Sequence, residues 1–85
     1  MPVISSFFGI IIRMNFREHN PPHLHAEYQG NNAVFNFDGE ITEGTMPNKQ
    51  KKLIVAWIEI HKDELIANWQ LIQNKEDYFK IDPLR

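Results

Sequence analysis

An alternating segment followed by a glycine turn constrains the fold of this chain most strongly. In residues 23–28 (HLHAEY), apolar side chains occupy every second position. An extended strand therefore carries its apolar side chains on one side and its polar ones on the other. The dipeptide Gly30-Asn31, shortly after this segment, matches a two-residue hairpin turn. The segment predicts a β-hairpin with one buried and one polar face.

This turn also predicts a register. If Gly30 and Asn31 are the two loop residues, apolar residues of the two strands oppose one another on one face, with Val34 as the exception on the polar face. The expected pairs are Tyr28 with Ala33, Ala26 with Phe35, Leu24 with Phe37, Glu27 with Val34, His25 with Asn36, and His23 with Asp38.

Strands are also predicted on both sides of this hairpin. Residues 3–4 and 10–16 favour strands, with a bend or bulge at Gly9 and one apolar face that includes Met14 and Phe16. Asp38-Gly39 is a second hairpin signal, which leads into residues 40–43. A strict two-residue turn would place Ile41 on the histidine face, and a longer loop with a bulge would return it to the core.

Helical spacing of apolar residues begins near Asn48 and continues to about residue 74. Thr45 or Asn48 is the expected N-cap, with Pro47 in the first turn. A break is expected near residues 61–63, where Asp63 could cap a second helix. Four further residues have expected places: Trp57 and Trp69 in the core, His61 hydrogen-bonded at its edge, and Ile81 in a tail that packs on the body.

The order of these elements predicts an α+β fold. We expect residues 1–85 to form a single domain: an antiparallel sheet of four to five strands, followed by one long or two shorter helices packed on one face. The absence of cysteine excludes disulfide scaffolds and thiolate chemistry. A net charge of -2 limits any contact with nucleic acid to a local surface. No segment resembles a membrane span or a signal peptide, so a cytoplasmic protein is expected.

Histidines form the densest cluster of candidate functional residues. Three of the four histidines, His19, His23 and His25, lie within seven residues, and the expected register adds Asn36 beside them. Two imidazoles with ordinary pKa values can act as acid and base on a phosphodiester, with Arg17 as a phosphate contact. This chemistry would need no cofactor.

Two other interpretations of the cluster stay open. A His-x-His pair on a strand can bind zinc, with His19, Glu18 or Glu27 as a third ligand to His23 and His25. Alternatively, the histidines are polar surface residues that only hydrogen-bond the loop.

Lysines at the start of the predicted helix form a second candidate site. Lys51 and Lys52 lie where cations oppose the helix dipole, and a helix N-terminus can bind phosphate. They are secondary candidates for contacting an anionic substrate. A solvated charged face is the simpler interpretation.

Several motifs resemble a known family. Residues 7–9 (FFG), 18–25 (EHNPPHLH) and the helical run 57–69 are similar to small proteins of the domain of unknown function 4160 (DUF4160) family. The resemblance implies a compact bacterial or archaeal protein, often encoded beside another small protein, and so a toxin–antitoxin-like module. It implies no particular catalytic residue.

The leading hypothesis is therefore a component of such a module whose His-rich face contacts or cleaves RNA without a metal. Its site would be His19, His23 and His25, with Arg17, Asn36, Lys51 and Lys52 holding the substrate. A cognate partner protein is expected. The alternatives are a non-catalytic module that binds a partner or itself, and a zinc-binding protein. The sequence leaves open whether the chain is an enzyme.

Overall fold

A computed structural model describes residues 2–85 of the chain. Five strands come first: β1 (Val3–Phe7), β2 (Ile10–Arg13), β3 (His23–Tyr28), β4 (Asn31–Asn36) and β5 (Ile41–Gly44). Two helices follow, α1 (Asn48–Ile60) and α2 (Lys62–Gln73). The strands form one antiparallel sheet in the order β1-β2-β3-β4-β5. The predicted α+β architecture is confirmed, with five strands and the helix broken into two.

The first reversal is tighter than the sequence indicated. Phe7 pairs with Ile10, so Phe8 and Gly9 form a two-residue turn rather than a bend or bulge within one strand. Both turn residues have positive φ values, 49° for Phe8 and 79° for Gly9. That combination is typical of the tight turn whose twist matches the flanking strands.

The register predicted for the β3–β4 hairpin is wrong by two residues. His23 pairs with Asn36 instead of Asp38, and His25 pairs with Val34 instead of Asn36. The turn consists of Gln29 and Gly30, with φ values of 44° and 83°. Glycine thus occupies the second central position, where a positive φ is needed.

A shift of two residues leaves every side chain on its predicted face, because the strand repeat is two. Leu24, Ala26, Ala33 and Phe35 are all buried in the core as expected. The histidine face is preserved for the same reason.

A β-bulge interrupts the pairing of β4 with β5. The register shifts between Val34, which pairs with Glu43, and Phe35, which pairs with Ile41. Ile41 therefore returns to the core side, as the longer-loop alternative predicted, and packs against the buried cluster. The side chain of Asn36 organises the turn, because its Oδ1 accepts hydrogen bonds from the backbone N–H groups of Asp38 and Glu40.

The helices begin differently from the prediction. Pro47 is the N-cap of α1, in place of Thr45 or Asn48, and the cap makes no side-chain hydrogen bond. The expected break is observed at His61, which is the N-cap of α2. Asp63 lies within the first turn of α2 rather than at its cap, where its charge is still favourable to the helix dipole.

One buried cluster joins the inner face of the sheet to both helices. Trp57 is fully buried and Trp69 is 5% exposed, which confirms both as core residues. Ile10, Ile12 and Met14 are also fully buried. Phe16 departs from the prediction: it lies beyond the end of β2, and 49% of it is exposed.

The C-terminal tail packs on this body without regular secondary structure. Ile81 is buried, and its N–H donates to the carbonyl oxygen of Ile4 at 2.8 Å. The indole N–H of Trp57 donates to the carbonyl oxygen of Asp82 at 2.8 Å. Asn68, buried in α2, makes two hydrogen bonds with the backbone of Phe79. Side chains of the body thus bind the backbone of the tail.

Neither helix in residues 2–85 has the length and hydrophobicity needed to cross a bilayer.

Candidate functional site

The loop between β2 and β3 carries Glu18 to the outer face of the sheet. Arg17 immediately before it has a positive φ of 62°, and the Asn20-Pro21 peptide that follows is cis. Asn15 donates a hydrogen bond from Nδ2 to Oε1 of Glu18 at 3.0 Å. The loop thus holds this carboxylate in a defined position beside β3.

Two imidazoles lie on either side of the Glu18 carboxylate. Nε2 of His25 is 2.8 Å from Oε1 of Glu18, and Nε2 of His23 is 3.5 Å from Oε2. The alternation of β3 places both histidines on the outer face, where their ring centroids are 5.5 Å apart. Glu18, His23 and His25 are named here the Glu–His–His cluster.

The second ring nitrogen of His23 is already engaged. Its Nδ1 lies 2.8 Å from the carbonyl oxygen of Pro21, so Nδ1 carries the proton and donates it. The ring also contacts the indole of Trp69, with centroids 5.1 Å apart. In the neutral ring, Nε2 is then an unprotonated acceptor that lies 3.5 Å from an oxygen of Glu18.

The electrostatics of the cluster favour a charged carboxylate. Burial raises the pKa of Glu18, but hydrogen bonds from Asn15 and His25 and the positive charges of the two imidazoles outweigh it. The pKa of Glu18 therefore lies below its ordinary value of 4.5.

A cleft of about 320 Å³ adjoins the cluster on the outer face. His19, Asn36, Thr42 and Glu43 contribute to its lining. His19 is exposed and lies outside the group whose ligand atoms converge. Of the third ligands that the sequence leaves open, Glu18 is the one whose carboxylate lies beside the two histidines, whereas His19 lines the same cleft.

The other candidate residues lie apart from the cleft lining. Arg17 lines a separate surface pocket with Phe16 and Lys75 near the end of α2. Lys51 and Lys52 line a groove along α1. The sequence analysis places these three basic residues at the histidine site, whereas in the structure they line other surfaces.

Three further side chains are engaged elsewhere. Asn36 lines the cleft, but its amide is used by the β4–β5 turn. Glu27, an alternative metal ligand from the sequence, pairs with Arg13 at 3.3 Å. His61 lies at the core edge as predicted, with Nδ1 2.6 Å from Oε1 of Glu64.

The ligand atoms of the Glu–His–His cluster all lie within 4.8 Å of one another. Two imidazoles and a carboxylate at this separation could surround one divalent ion. Two residues that contact the cluster, Asn15 and Trp69, were not predicted to do so from the sequence. The contact from Trp69 depends on tertiary packing, and no local pattern indicated it.

The family model for the domain of unknown function DUF4160 matches residues 9–70, most of the chain and all three members of the cluster. No curated protein matches, and neither does any solved structure.

Proposed function

We propose a function from the geometry of the site, because the chain belongs to the DUF4160 family, whose description assigns no activity. The proposed function is the binding of a divalent transition-metal ion by Glu18, His23 and His25. Zinc is the first candidate, since imidazole and carboxylate are common zinc ligands.

One observation carries this proposal: Nδ1 of His23 donates to the carbonyl oxygen of Pro21. Histidines that bind a metal usually donate the other ring N–H to a carbonyl or carboxylate, which fixes the ring and leaves a lone pair for the metal. In the neutral ring of His23, the nitrogen with that lone pair lies 3.5 Å from Glu18 Oε2. Two acceptors at this distance are stabilised by a cation between them. A proton on Nε2 would satisfy the same pair, so an experiment must detect the metal itself.

The charges around the cleft also favour a cation. Glu18 and Glu43 both line it, whereas Arg17, Lys51 and Lys52 line other surfaces. A polyanion such as RNA would meet these carboxylates, with no lysine or arginine among the cleft's lining in residues 2–85.

Metal analysis of untagged protein tests the proposal. Protein purified without a polyhistidine tag is treated with EDTA, dialysed, and titrated with zinc by calorimetry, and bound metal is measured by elemental analysis. We expect one zinc per chain in the wild type and a loss of binding of at least about tenfold in His25→Ala. His19→Ala, an exposed histidine of the same cleft, is the matched control and should retain binding.

Absence of stoichiometric zinc, cobalt and manganese binding in the wild type would refute the proposal. Equal binding by the wild type and His25→Ala would refute the assignment of the ligands.

A second candidate is metal-independent cleavage of RNA by His23 and His25. The observation in its favour is that the two imidazoles lie 5.5 Å apart beside an open cleft. Degradation of RNA in the presence of EDTA, lost in His23→Ala and His25→Ala, would support it. Pairing with a cognate protein in a toxin–antitoxin-like module stays a prediction, as does self-association. Coexpression with the neighbouring gene product and sedimentation of the isolated chain test these two predictions.

A further inference from the structure

We infer that the metal held by Glu18, His23 and His25 keeps a coordination position open to the cleft and binds a small oxygen- or nitrogen-donor molecule there. Water is the ligand expected at rest. This inference rests on the proposed function and deepens it, because it separates a reactive metal centre from a structural one.

The number of protein donors is the first argument. Within residues 2–85, the His, Asp and Glu side chains whose ligand atoms converge are these three. Structural zinc sites take four protein ligands, whereas catalytic zinc sites take three and leave the fourth position to water or substrate. Iron, manganese and cobalt commonly accept still more ligands, so they would leave more positions open.

The exposure of the ligands is the second argument. The side chains of Glu18, His23 and His25 are 27%, 16% and 30% exposed. They border a cleft, whereas a structural metal is usually enclosed by the chain that it stabilises. Leu24 and Ala26, on the opposite face of β3, belong to a buried apolar cluster, whose Trp69 also contacts the ring of His23. The fold therefore has its own core, independent of a metal.

The surroundings of the open position are the third argument. Asn36 lines the cleft, but its Oδ1 accepts from the N–H groups of Asp38 and Glu40, so this amide is committed to the turn. His19 is the remaining imidazole of the lining, and it is exposed to solvent. An external molecule can therefore reach a metal held by Glu18, His23 and His25 without displacing a buried group.

The lining of the cleft also limits the charge of that molecule. The carboxylate of Glu43 lies in the lining, and no lysine or arginine of residues 2–85 does. A small ligand that is neutral or carries one negative charge is therefore favoured over a polyphosphate.

Cobalt substitution tests the inference. Untagged protein is loaded with one equivalent of Co²⁺, its visible absorption spectrum is recorded, and azide is then added. We expect the cobalt spectrum to shift on addition of azide, both in the wild type and in His19→Ala. His25→Ala should lack the protein-bound spectrum, and far-ultraviolet circular dichroism shows whether each variant is folded.

The outcomes separate the inference from the proposed function. A cobalt spectrum in the wild type that does not respond to saturating azide would overturn the open position and leave metal binding intact. A change of the azide-free spectrum in His19→Ala would also overturn it, since His19 would then complete the ligand set. Absence of bound cobalt in the wild type would overturn the inference, whereas the proposed function is refuted only if zinc and manganese also fail to bind.

Discussion

Nδ1 of His23 lies 2.8 Å from the carbonyl oxygen of Pro21, and this contact fixes which nitrogen of the ring carries the proton. We expect the neutral ring of His23 to be the Nδ1–H tautomer. Long-range ¹H–¹⁵N spectra of the metal-free protein distinguish the two tautomers. Added zinc should move the Nε2 resonances of His23 and His25 and leave those of His61 unchanged, because His61 is paired with Glu64 outside the cleft. An Nε2–H tautomer for His23 would contradict the prediction.

The lowered pKa of Glu18 predicts how the stability of metal-free protein changes with pH. A carboxyl whose pKa is lower in the folded state stabilises the fold above its unfolded value, here 4.5, and loses this contribution as pH falls through the folded value. Glu18→Gln should therefore reduce the free energy of unfolding by up to about 1 kcal/mol at about pH 5.5. The difference from wild type should shrink as the pH is lowered toward about 3.

Urea unfolding of EDTA-treated protein measures this difference. Glu43→Gln removes an exposed carboxylate from the same cleft and serves as the matched control. A difference between wild type and Glu18→Gln that grows on acidification would be inconsistent with the lowered pKa.

The architecture could be predicted because strand and helix periodicities are local. The alternation in β3 identified the buried face. An error of two residues in the register does not change this face, because side chains alternate with a period of two. The register itself could not be predicted from Gly30 and Asn31 alone, because Gly30 also fits the second position of a turn that begins at Gln29. The exposure of Phe16 was missed for a related reason: the alternation of β2 continues in the sequence after the strand has ended.

The site could be predicted only in part. The alternation of β3 places His23 and His25 together, and this pairing depends on strand geometry alone. The third member depends on the conformation of the preceding loop, which directs Glu18 rather than His19 toward the strand. The position of Arg17 depends on the same loop. Side chains on irregular backbone have no periodicity from which their direction could be predicted.

Gly44 at the end of β5 is a position where the fold excludes any side chain. Its φ is +82°, and a Cβ there would lie 2.1 Å from the carbonyl oxygen of Asn32. Gly30 has a φ of +83° with no atom within 4 Å of its Cβ position. A substitution there therefore measures the cost of the positive φ alone, without steric overlap. We expect Gly30→Ala to cost about 1–2 kcal/mol of unfolding free energy. Gly44→Ala should cost about 1–3 kcal/mol more, through steric overlap.

Chemical denaturation of the two glycine variants side by side checks this expectation. Equal losses of stability would contradict this expectation, because β4 and β5 would then accommodate the added methyl group at Gly44 at no further cost.

Asn68 connects α2 to the C-terminal tail through two hydrogen bonds. This fully buried side chain donates from Nδ2 to the carbonyl oxygen of Phe79 at 2.7 Å, and its Oδ1 accepts from the N–H of Phe79 at 2.9 Å. Replacing it with alanine leaves both backbone groups without these partners, at about 1–3 kcal/mol for each buried group that stays unsatisfied. Asn68→Ala should therefore release the tail.

In hydrogen exchange, the amide of Ile81, which bonds to Ile4, should lose protection while the β3–β4 amides keep theirs. Gln70→Ala, at an exposed position of the same helix, is the control and should leave Ile81 protected. Full protection of Ile81 in Asn68→Ala would show that the apolar contacts of the tail suffice to hold it.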